Sequence, residues 1–141
     1  MIKVCPRCGA VHDGHRWIPE PSEELKKAVG GQEHQVQLCP GDLRLENKQI
    51  QGVVALSGAF LERHREEIVN LVNRVAREGR KRNAAARIFG VRNDGDTIII
   101  ETTDAHLAER IGKGVQRAFK GDLEMKWQYK DEFARVYWRR D

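Results

Sequence analysis

One amphipathic helix constrains the fold of this 141-residue chain more than any other feature. Between Asp104 and Phe119 apolar residues recur at helical spacing, so one face is apolar and the opposite face is charged. Thr103 or Asp104 can accept hydrogen bonds from the first free amides, and Gly121 is typical of a helix end. Gly112 and Gly114 lie inside the helix, where each costs about 1 kcal/mol relative to alanine. We therefore expect tertiary packing to hold this helix, with a close backbone contact at the two glycines.

The segments on both sides of this helix predict an α+β fold. A second amphipathic helix is expected to begin at Ser57 and to end near Gly79. Apolar and alternating runs predict strands at residues 50–56, 86–92, 97–102, 123–129 and 133–139. The first six elements match a ferredoxin-like (βαββαβ) sandwich, and a final strand is added. We expect strand 97–102 to be central, both helices to lie on one face of an antiparallel sheet, and residues 93–96 and 130–132 to form turns.

The first 48 residues differ in character from the rest of the chain. They contain all three cysteines, all four prolines and three of the five histidines, without a sustained periodic pattern. A segment of this kind buries little apolar surface, so it usually needs a metal to fold. We therefore divide the chain into a zinc-ribbon-like metal-binding module, residues 1–48, and an α/β sandwich domain, residues 49–141.

The cysteines have the spacing of a metal site. Cys5 and Cys8 are two residues apart in Cys-Pro-Arg-Cys-Gly, which is typical of a zinc knuckle, and Cys39-Pro-Gly-Asp42 repeats the spacing with a carboxylate in the last place. We predict Zn²⁺ bound by Cys5, Cys8, Cys39 and Asp42. The alternatives for the fourth ligand are His12, His15 and His34. Two other interpretations remain: a decayed ribbon that packs without metal, and a three-ligand zinc with water in the fourth position, as in catalytic sites.

Composition and charge narrow the classes of partner. No apolar run approaches the roughly 20 residues that span a bilayer, and the N-terminal residues contain no signal-peptide core, so we expect a cytoplasmic protein without a membrane partner. Reduced thiols in that compartment favour metal binding over a disulfide bond.

The net charge of +4 favours an anionic partner such as RNA, DNA or an acidic protein surface. No Walker or dinucleotide motif is present, so no nucleotide cofactor is expected.

Two groups of residues are candidates for contact with nucleic acid. The first is a cationic window at the end of the second helix: Arg74, Arg77, Arg80, Lys81, Arg82 and Arg87. The second alternates along the last two strands on the face away from the helices: Lys126, Arg135, Tyr137 and Arg139. Both patterns are typical of phosphate or base contacts. The alternatives are cations that oppose the negative end of a helix dipole, and an ordinary solvated sheet face.

Three stretches carry a resemblance to a known family. Residues 102–112 (TTDAHLAERIG), residues 118–123 (AFKGDL) and the N-terminal Cys-Pro-x-Cys-Gly resemble the nuclear export adaptor of the large ribosomal subunit and its archaeal counterparts. The overall layout is similar to a group of short prokaryotic zinc-ribbon proteins of unassigned function. The resemblance implies zinc at Cys5, Cys8 and Cys39, and contact with ribosomal RNA or a ribosome-associated complex. This chain has three cysteines, whereas the adaptor family has two sets of four, so the export role is not implied.

These observations support three hypotheses of function. The first is a non-enzymatic zinc-binding adaptor that binds RNA, associated with the ribosome. The second is a protein–protein interaction module with a structural zinc. The third is a metalloenzyme with an open zinc position, which lacks an accompanying base or pocket motif.

Overall fold

The N-terminal part of the computed structural model is a small four-stranded sheet. Its strands are β1 (Lys3–Val4), β2 (Val11–His12), β3 (Trp17–Ile18) and β4 (Gln35–Val36), in the order β3-β2-β1-β4. Between β3 and β4 lies helix α1 (Glu23–Gly30), which begins where the Ser22 hydroxyl accepts a hydrogen bond from the Leu25 amide. Helix α2 (Pro40–Glu46) follows β4. The structure describes residues 1–130 and 132–141, so Asp131, in the predicted turn 130–132, lies outside the described residues.

The described residues of the rest of the chain form a five-stranded sheet and three helices. The elements are β5 (Gly52–Ser57), α3 (Ala59–Arg63), α4 (Arg65–Arg82), β6 (Ile88–Asp94), β7 (Thr97–Thr102), α5 (Ala105–Phe119), β8 (Asp122–Gln128) and β9 (Phe133–Arg139). The sheet has the order β6-β7-β5-β9-β8. The predicted α+β class, with a small cysteine-containing N-terminal unit followed by a body of sheet and helices, is confirmed. How the chain divides into domains at residue 48 stays a prediction.

The position of the last strand differs from the simplest expectation. β9 is not added at an edge: it lies between β5 and β8, parallel to β5 and antiparallel to β8. The sheet is therefore mixed rather than antiparallel. β5 occupies the middle, and β7, predicted to be central, is the inner strand beside it. The hairpin between β6 and β7 has the predicted turn, in which Gly95 has a φ of +62°.

The helices cover one face of this sheet. α5 packs on β5, β7, β8 and β9, and α4 packs along α5. Of the two predicted cap residues, Asp104 caps α5, since its carboxylate accepts a hydrogen bond from the Leu107 amide at 3.0 Å. The expected close contact is confirmed at Gly112, where an added Cβ would lie 2.4 Å from Cγ1 of Val136. Within the described ranges, none of the helices has both the length and the apolar composition needed to cross a bilayer.

Two predicted helix boundaries are wrong, for physical reasons. Ser57 does not cap a helix: it is the last residue of β5, and its hydroxyl donates to the carbonyl of Trp138. The predicted single helix is instead two helices, α3 and α4, which meet at His64. α3 begins after Gly58, which has a φ of +105° and lies against the backbone of Arg140. Gly79 does not end α4, because it is buried beneath Leu107 of α5, and the helix continues to Arg82.

Candidate metal centre and cationic groove

Four predicted ligands meet at one point of the N-terminal unit. Cys5, Cys8, Cys39 and Asp42 each place a ligand atom within 4.8 Å of the others, a group that could hold a metal ion. The sulfur atoms of Cys8 and Cys39 are 3.7 Å apart. Two sulfurs bound to a tetrahedral zinc at about 2.3 Å lie roughly 3.8 Å from each other, so this separation fits. Oδ2 of Asp42 lies 3.1 Å from Sγ of Cys5 and 3.3 Å from Sγ of Cys39.

The first two cysteines are positioned by the turn between β1 and β2. The carbonyl of Cys5 accepts a hydrogen bond from the Gly9 amide at 3.0 Å, and the Cys5 amide donates to the carbonyl of Ala10 at 2.8 Å. Gly9 has a φ of +80°, a conformation that glycine adopts without steric cost. This turn brings Cys8 back beside Cys5, as the two-residue spacing predicts.

The other two ligands are positioned by the start of α2. Cys39 is the N-cap residue, and its sulfur accepts a hydrogen bond from the Asp42 amide at 3.4 Å. Pro40 occupies the first helical position, where its missing N–H is not needed. The side chains of an N-cap residue and of the third helical residue lie at the same end of a helix. The Cys-Pro-Gly-Asp spacing therefore brings a thiol and a carboxylate together.

The protonation of the centre is set by burial and hydrogen bonds. Burial raises the pKa of the Cys8 thiol to about 12, and its hydrogen bond to Asp42 acts in the same direction. Burial also raises the pKa of Cys39. For Cys5, burial is outweighed by backbone amides that include those of Cys39 and Cys8, and its pKa is lowered. Burial opposes ionisation of Asp42 too, but the three thiols and the charge of Arg87 lower its pKa to about 2. A metal must therefore displace thiol protons from Cys8 and Cys39.

Hydrogen bonds and close packing join the candidate metal centre and α2 to the loops beside the five-stranded sheet. Nη2 of Arg87 donates to Oδ1 of Asp42 at 2.8 Å, and the Arg87 side chain is only 13% exposed. Gly41 packs so tightly that an added Cβ would lie 2.5 Å from the carbonyl oxygen of Ala84. Nη1 of Arg44 donates to the carbonyl of Thr103 at 2.9 Å. Arg87, predicted to contact phosphate, is thus directed to the candidate metal centre.

The histidines lie apart from this group. His12 packs edge-on against Trp17, with ring centroids 5.3 Å apart, and its Nδ1 accepts from the Gly14 amide. Nδ1 of His34 lies 3.0 Å from the carbonyl of Gln32, and His15 is exposed. In the part of the chain that the structure describes, neither these histidines nor any others join a cluster of three or more ligands. The geometry therefore favours Asp42 as the fourth ligand.

A second feature is a groove between α4 and α5, which we call the cationic groove. Small residues allow the helices to approach, since a Cβ on Gly79 would meet Leu107 at 3.0 Å and one on Gly114 would meet Val75 at 3.2 Å. Four cations of the two helices line the groove: Arg82, Arg110, Lys113 and Arg117. Glu78 is the acid in this lining, and Glu109 pairs with Lys113 at 3.5 Å.

Three of the groove cations were not among the predicted contacts. The sequence identified these cations, Arg110, Lys113 and Arg117, only as part of the charged face of α5. Their spacing shows that they share one face of that helix, but it does not show that α4 lies beside that face. Of the predicted window, Arg82 lines the groove, while Arg74, Arg77 and Lys81 are exposed elsewhere on α4. Arg80 is partly buried, and its Nη2 has no hydrogen-bond partner among the described residues.

The predicted residues of the last two strands do share the open face of the sheet. Register places Lys126 opposite Arg135, and Tyr137 and Arg139 follow at two-residue intervals beyond buried neighbours. The same face carries acids: Glu124 lies opposite Tyr137, and Asp122 lies opposite Arg139. Lys126 pairs with Glu124 at 3.7 Å. Because positively and negatively charged side chains lie side by side on this face, its positive charge is not concentrated.

Comparison with known proteins adds no relative. The chain matches no family model, no curated protein and no solved structure. The resemblance to the export adaptor family therefore depends on the quoted residues alone, and any conclusion about function has to come from the geometry of the metal centre and the groove.

Proposed function

We propose that this protein is a non-enzymatic, zinc-containing RNA-binding adaptor, and that ribosomal RNA is its target. The observation that carries the proposal is the cationic groove, in which cations from α4 and α5 converge around a lining that includes one carboxylate. The resemblance to the export adaptor family is the reason for proposing ribosomal RNA. We also propose a cytoplasmic location, because thiols are kept reduced in that compartment.

The ligand chemistry supports zinc in a structural role. Three thiolates and one carboxylate suit zinc, which prefers soft and borderline ligands in a tetrahedral arrangement. Four protein ligands fill that tetrahedron and leave no open position for water, as in structural rather than catalytic sites. Cys5 and Cys39 are each 1% exposed, which agrees with a closed site. When bound, the ion would cross-link the β1–β2 turn to the start of α2.

The distribution of charge supports the groove as the surface that binds RNA. Among the described residues, Arg82, Arg110 and Arg117 have no carboxylate within 4.0 Å. Cations that are not neutralised by the protein are available to phosphates, and they release counterions from the nucleic acid when they bind. The open sheet face, in contrast, has a matching carboxylate beside most of its cations.

The test compares the two surfaces at equal loss of charge. We expect RNA affinity to fall steeply with salt, and the groove variant Arg82→Gln/Arg110→Gln/Arg117→Gln to reduce the slope of log affinity against log salt by about 2, at roughly 0.7 per phosphate contact. The matched variant Lys126→Gln/Arg135→Gln/Arg139→Gln removes the same charge from the open face and should leave the slope unchanged. Fluorescence anisotropy with labelled RNA measures both. Absence of binding at low salt, or an equal effect of the two variants, would overturn the proposal.

A further inference from the structure

We infer that the ligand is single-stranded RNA, one of whose unpaired bases stacks in an aromatic pocket at the end of the cationic groove. The inference rests on the proposed function and adds to it a second site, which reads the base rather than the phosphate. The aromatic pocket is formed by His106 of α5 with Trp127 and Tyr129 of the β8–β9 hairpin.

The aromatic rings are placed to receive a planar group. The rings of His106 and Trp127 have centroids 5.2 Å apart, and those of Trp127 and Tyr129 are 5.8 Å apart, both pairs tilted. Tyr129 is 83% exposed, although a tyrosine ring gains free energy by leaving water. The cavity beside these rings has a volume of about 270 Å³. Two of the rings are exposed and that of Trp127 is half-buried. Accessible aromatic rings around one cavity are the arrangement on which unstacked bases pack.

Polar groups on the wall of the aromatic pocket suit the edge of a base. Arg44, Gln51 and Glu132 line it together with Asp104, whose carboxylate lies 3.8 Å from Nη1 of Arg44. Between them these groups offer hydrogen-bond donors and acceptors. Arg44 comes from α2, whose first turn carries the candidate metal ligand Asp42, and it is anchored by its hydrogen bond to Thr103. The aromatic pocket is therefore completed by the metal-binding unit, so a ligand in it would contact both parts of the chain.

The aromatic pocket is continuous with the cationic groove. Four concave surfaces follow each other along α5, and each shares residues with the next. Lys113 and Arg117 belong both to the outer end near Lys120 and to the groove itself. Arg82 and Arg110 belong both to the groove and to the concavity beyond it, and His106 belongs to that concavity and to the aromatic pocket.

A cationic groove that leads to an aromatic pocket favours an extended single strand of nucleic acid. A cationic channel that follows a phosphate backbone, with an aromatic platform for a base, is how proteins bind single-stranded nucleic acids. Bases in a duplex are stacked on each other, and their faces are not accessible to side chains. An acidic peptide could satisfy the cations but would leave the three aromatic rings without a planar partner. The observations therefore favour an unpaired RNA segment as the occupant.

The test separates stacking from charge. Binding of a ten-nucleotide single-stranded RNA and of the duplex of the same sequence is measured at one low salt concentration. For Tyr129→Ala we expect about a tenfold loss of single-strand affinity, in the range that one base–aromatic stack contributes, and no change for the duplex. Tyr137→Ala is the matched control, because Tyr137 is an exposed tyrosine on the open sheet face. Quenching of tryptophan emission by the single strand should disappear in Trp127→Phe, which keeps an aromatic ring but removes the indole.

The outcomes distinguish this inference from the proposed function. If the wild-type protein prefers the single strand and only Tyr129→Ala loses that preference, the aromatic pocket is supported. If single strand and duplex bind equally and both tyrosine variants behave like wild type, while the groove variant still loses affinity, RNA binding stands and the stacking inference is overturned. If neither RNA binds at low salt, both are overturned.

Discussion

Arg87 donates a hydrogen bond from Nη2 to Oδ1 of Asp42 at 2.8 Å, while Oδ2 of the same carboxylate faces the sulfur atoms of Cys5 and Cys39. One carboxylate thus connects the candidate metal ligands with a residue just before β6, 45 positions along the chain. A partner that holds the distal oxygen of a ligand fixes the orientation of that ligand, and such partners tune metal affinity. The pairing also offsets part of the negative charge that three thiolates and a carboxylate would gather.

The first prediction concerns this pairing. Arg87→Ala should lower the free energy of unfolding by about 3 kcal/mol, because it leaves the buried carboxylate of Asp42 without its compensating charge. Metal affinity should fall about 10- to 100-fold, the usual loss when a partner of a ligand is removed. Urea unfolding of the metal-loaded protein and competition with a chromophoric chelator measure the two effects.

Arg139→Ala is the matched control for this substitution. Arg139 also pairs with an aspartate, but its side chain is 66% exposed and that of Asp141 is 70% exposed. An exposed pair contributes little, so the change in stability should stay below about 1 kcal/mol and metal affinity should not change. Equal effects of the two arginine substitutions would contradict a specific role for Arg87.

The second prediction tests Asp42 as the fourth ligand. Asp42→Ala should weaken zinc binding strongly, whereas Asp42→Cys should retain or strengthen it, because a thiolate is a softer ligand and completes a four-cysteine set. His12→Ala, His15→Ala and His34→Ala should each leave affinity unchanged. Cobalt-substituted protein reports the ligand set directly through its visible absorption. A histidine variant with the behaviour expected of Asp42→Ala would move the fourth ligand to that residue.

The third prediction is the pH dependence of metal binding. Because burial raises the pKa of Cys8 to about 12 and also raises that of Cys39, both thiols carry protons near neutral pH in the absence of metal. Each proton that the metal displaces makes affinity rise with pH, so log affinity should climb by at least about two per pH unit around neutrality, one for each of these two thiols, and fall as the solution is acidified. Asp42, with a pKa of about 2, stays ionised over this range and adds nothing to the slope. Chelator competition between pH 6 and 8 measures the slope.

A slope near zero would contradict thiol ligation. The Asp42→Asn variant separates the contributions, since it removes the carboxylate but leaves the three thiols. Its affinity should be lower at every pH than that of the wild type. The slope itself should remain positive, because it arises from the cysteines.

Local sequence spacing indicates the grouping of the four candidate metal ligands because much of its geometry is local. The two residues between Cys5 and Cys8 form one turn, and the two between Cys39 and Asp42 form the first turn of α2. The two turns are far apart in the sequence. Only the ability of their side chains to bind the same metal indicated that they meet. The role of Arg87 could not be read in the same way, since its charge suits a phosphate as well as a buried carboxylate.

The elements of the sheet were predictable from periodicity, but their order was not. Alternation identifies β8 and β9, and their hairpin follows from adjacency. Nothing in the pattern of β9 indicates that it pairs in parallel with β5 and separates β5 from β8. The helix boundaries fail for a related reason: a glycine such as Gly79 resembles a helix end locally, whereas in the fold it accommodates the side chain of Leu107.

The last prediction concerns the close contact that sequence did indicate, at Gly112. In an isolated helix Gly112→Ala would stabilise by about 1 kcal/mol. In the folded protein the added Cβ would lie 2.4 Å from Cγ1 of Val136 and 3.1 Å from Cδ1 of Leu123, so α5 has to move away from β8 and β9. Overpacking of this kind costs about 1–3 kcal/mol beyond the helix gain. We therefore expect Gly112→Ala to lower the unfolding midpoint in urea.

Gly30→Ala provides the control for helix propensity. Gly30 is the last residue of α1, and an added Cβ there would meet no atom within 4 Å. This variant should be neutral or slightly more stable than the wild type, because only the backbone entropy of glycine is removed. The opposite signs of the two glycine substitutions distinguish packing of α5 on the sheet from helix propensity. If Gly112→Ala proves as stable as Gly30→Ala, the helix does not approach β9 as closely as the structure shows.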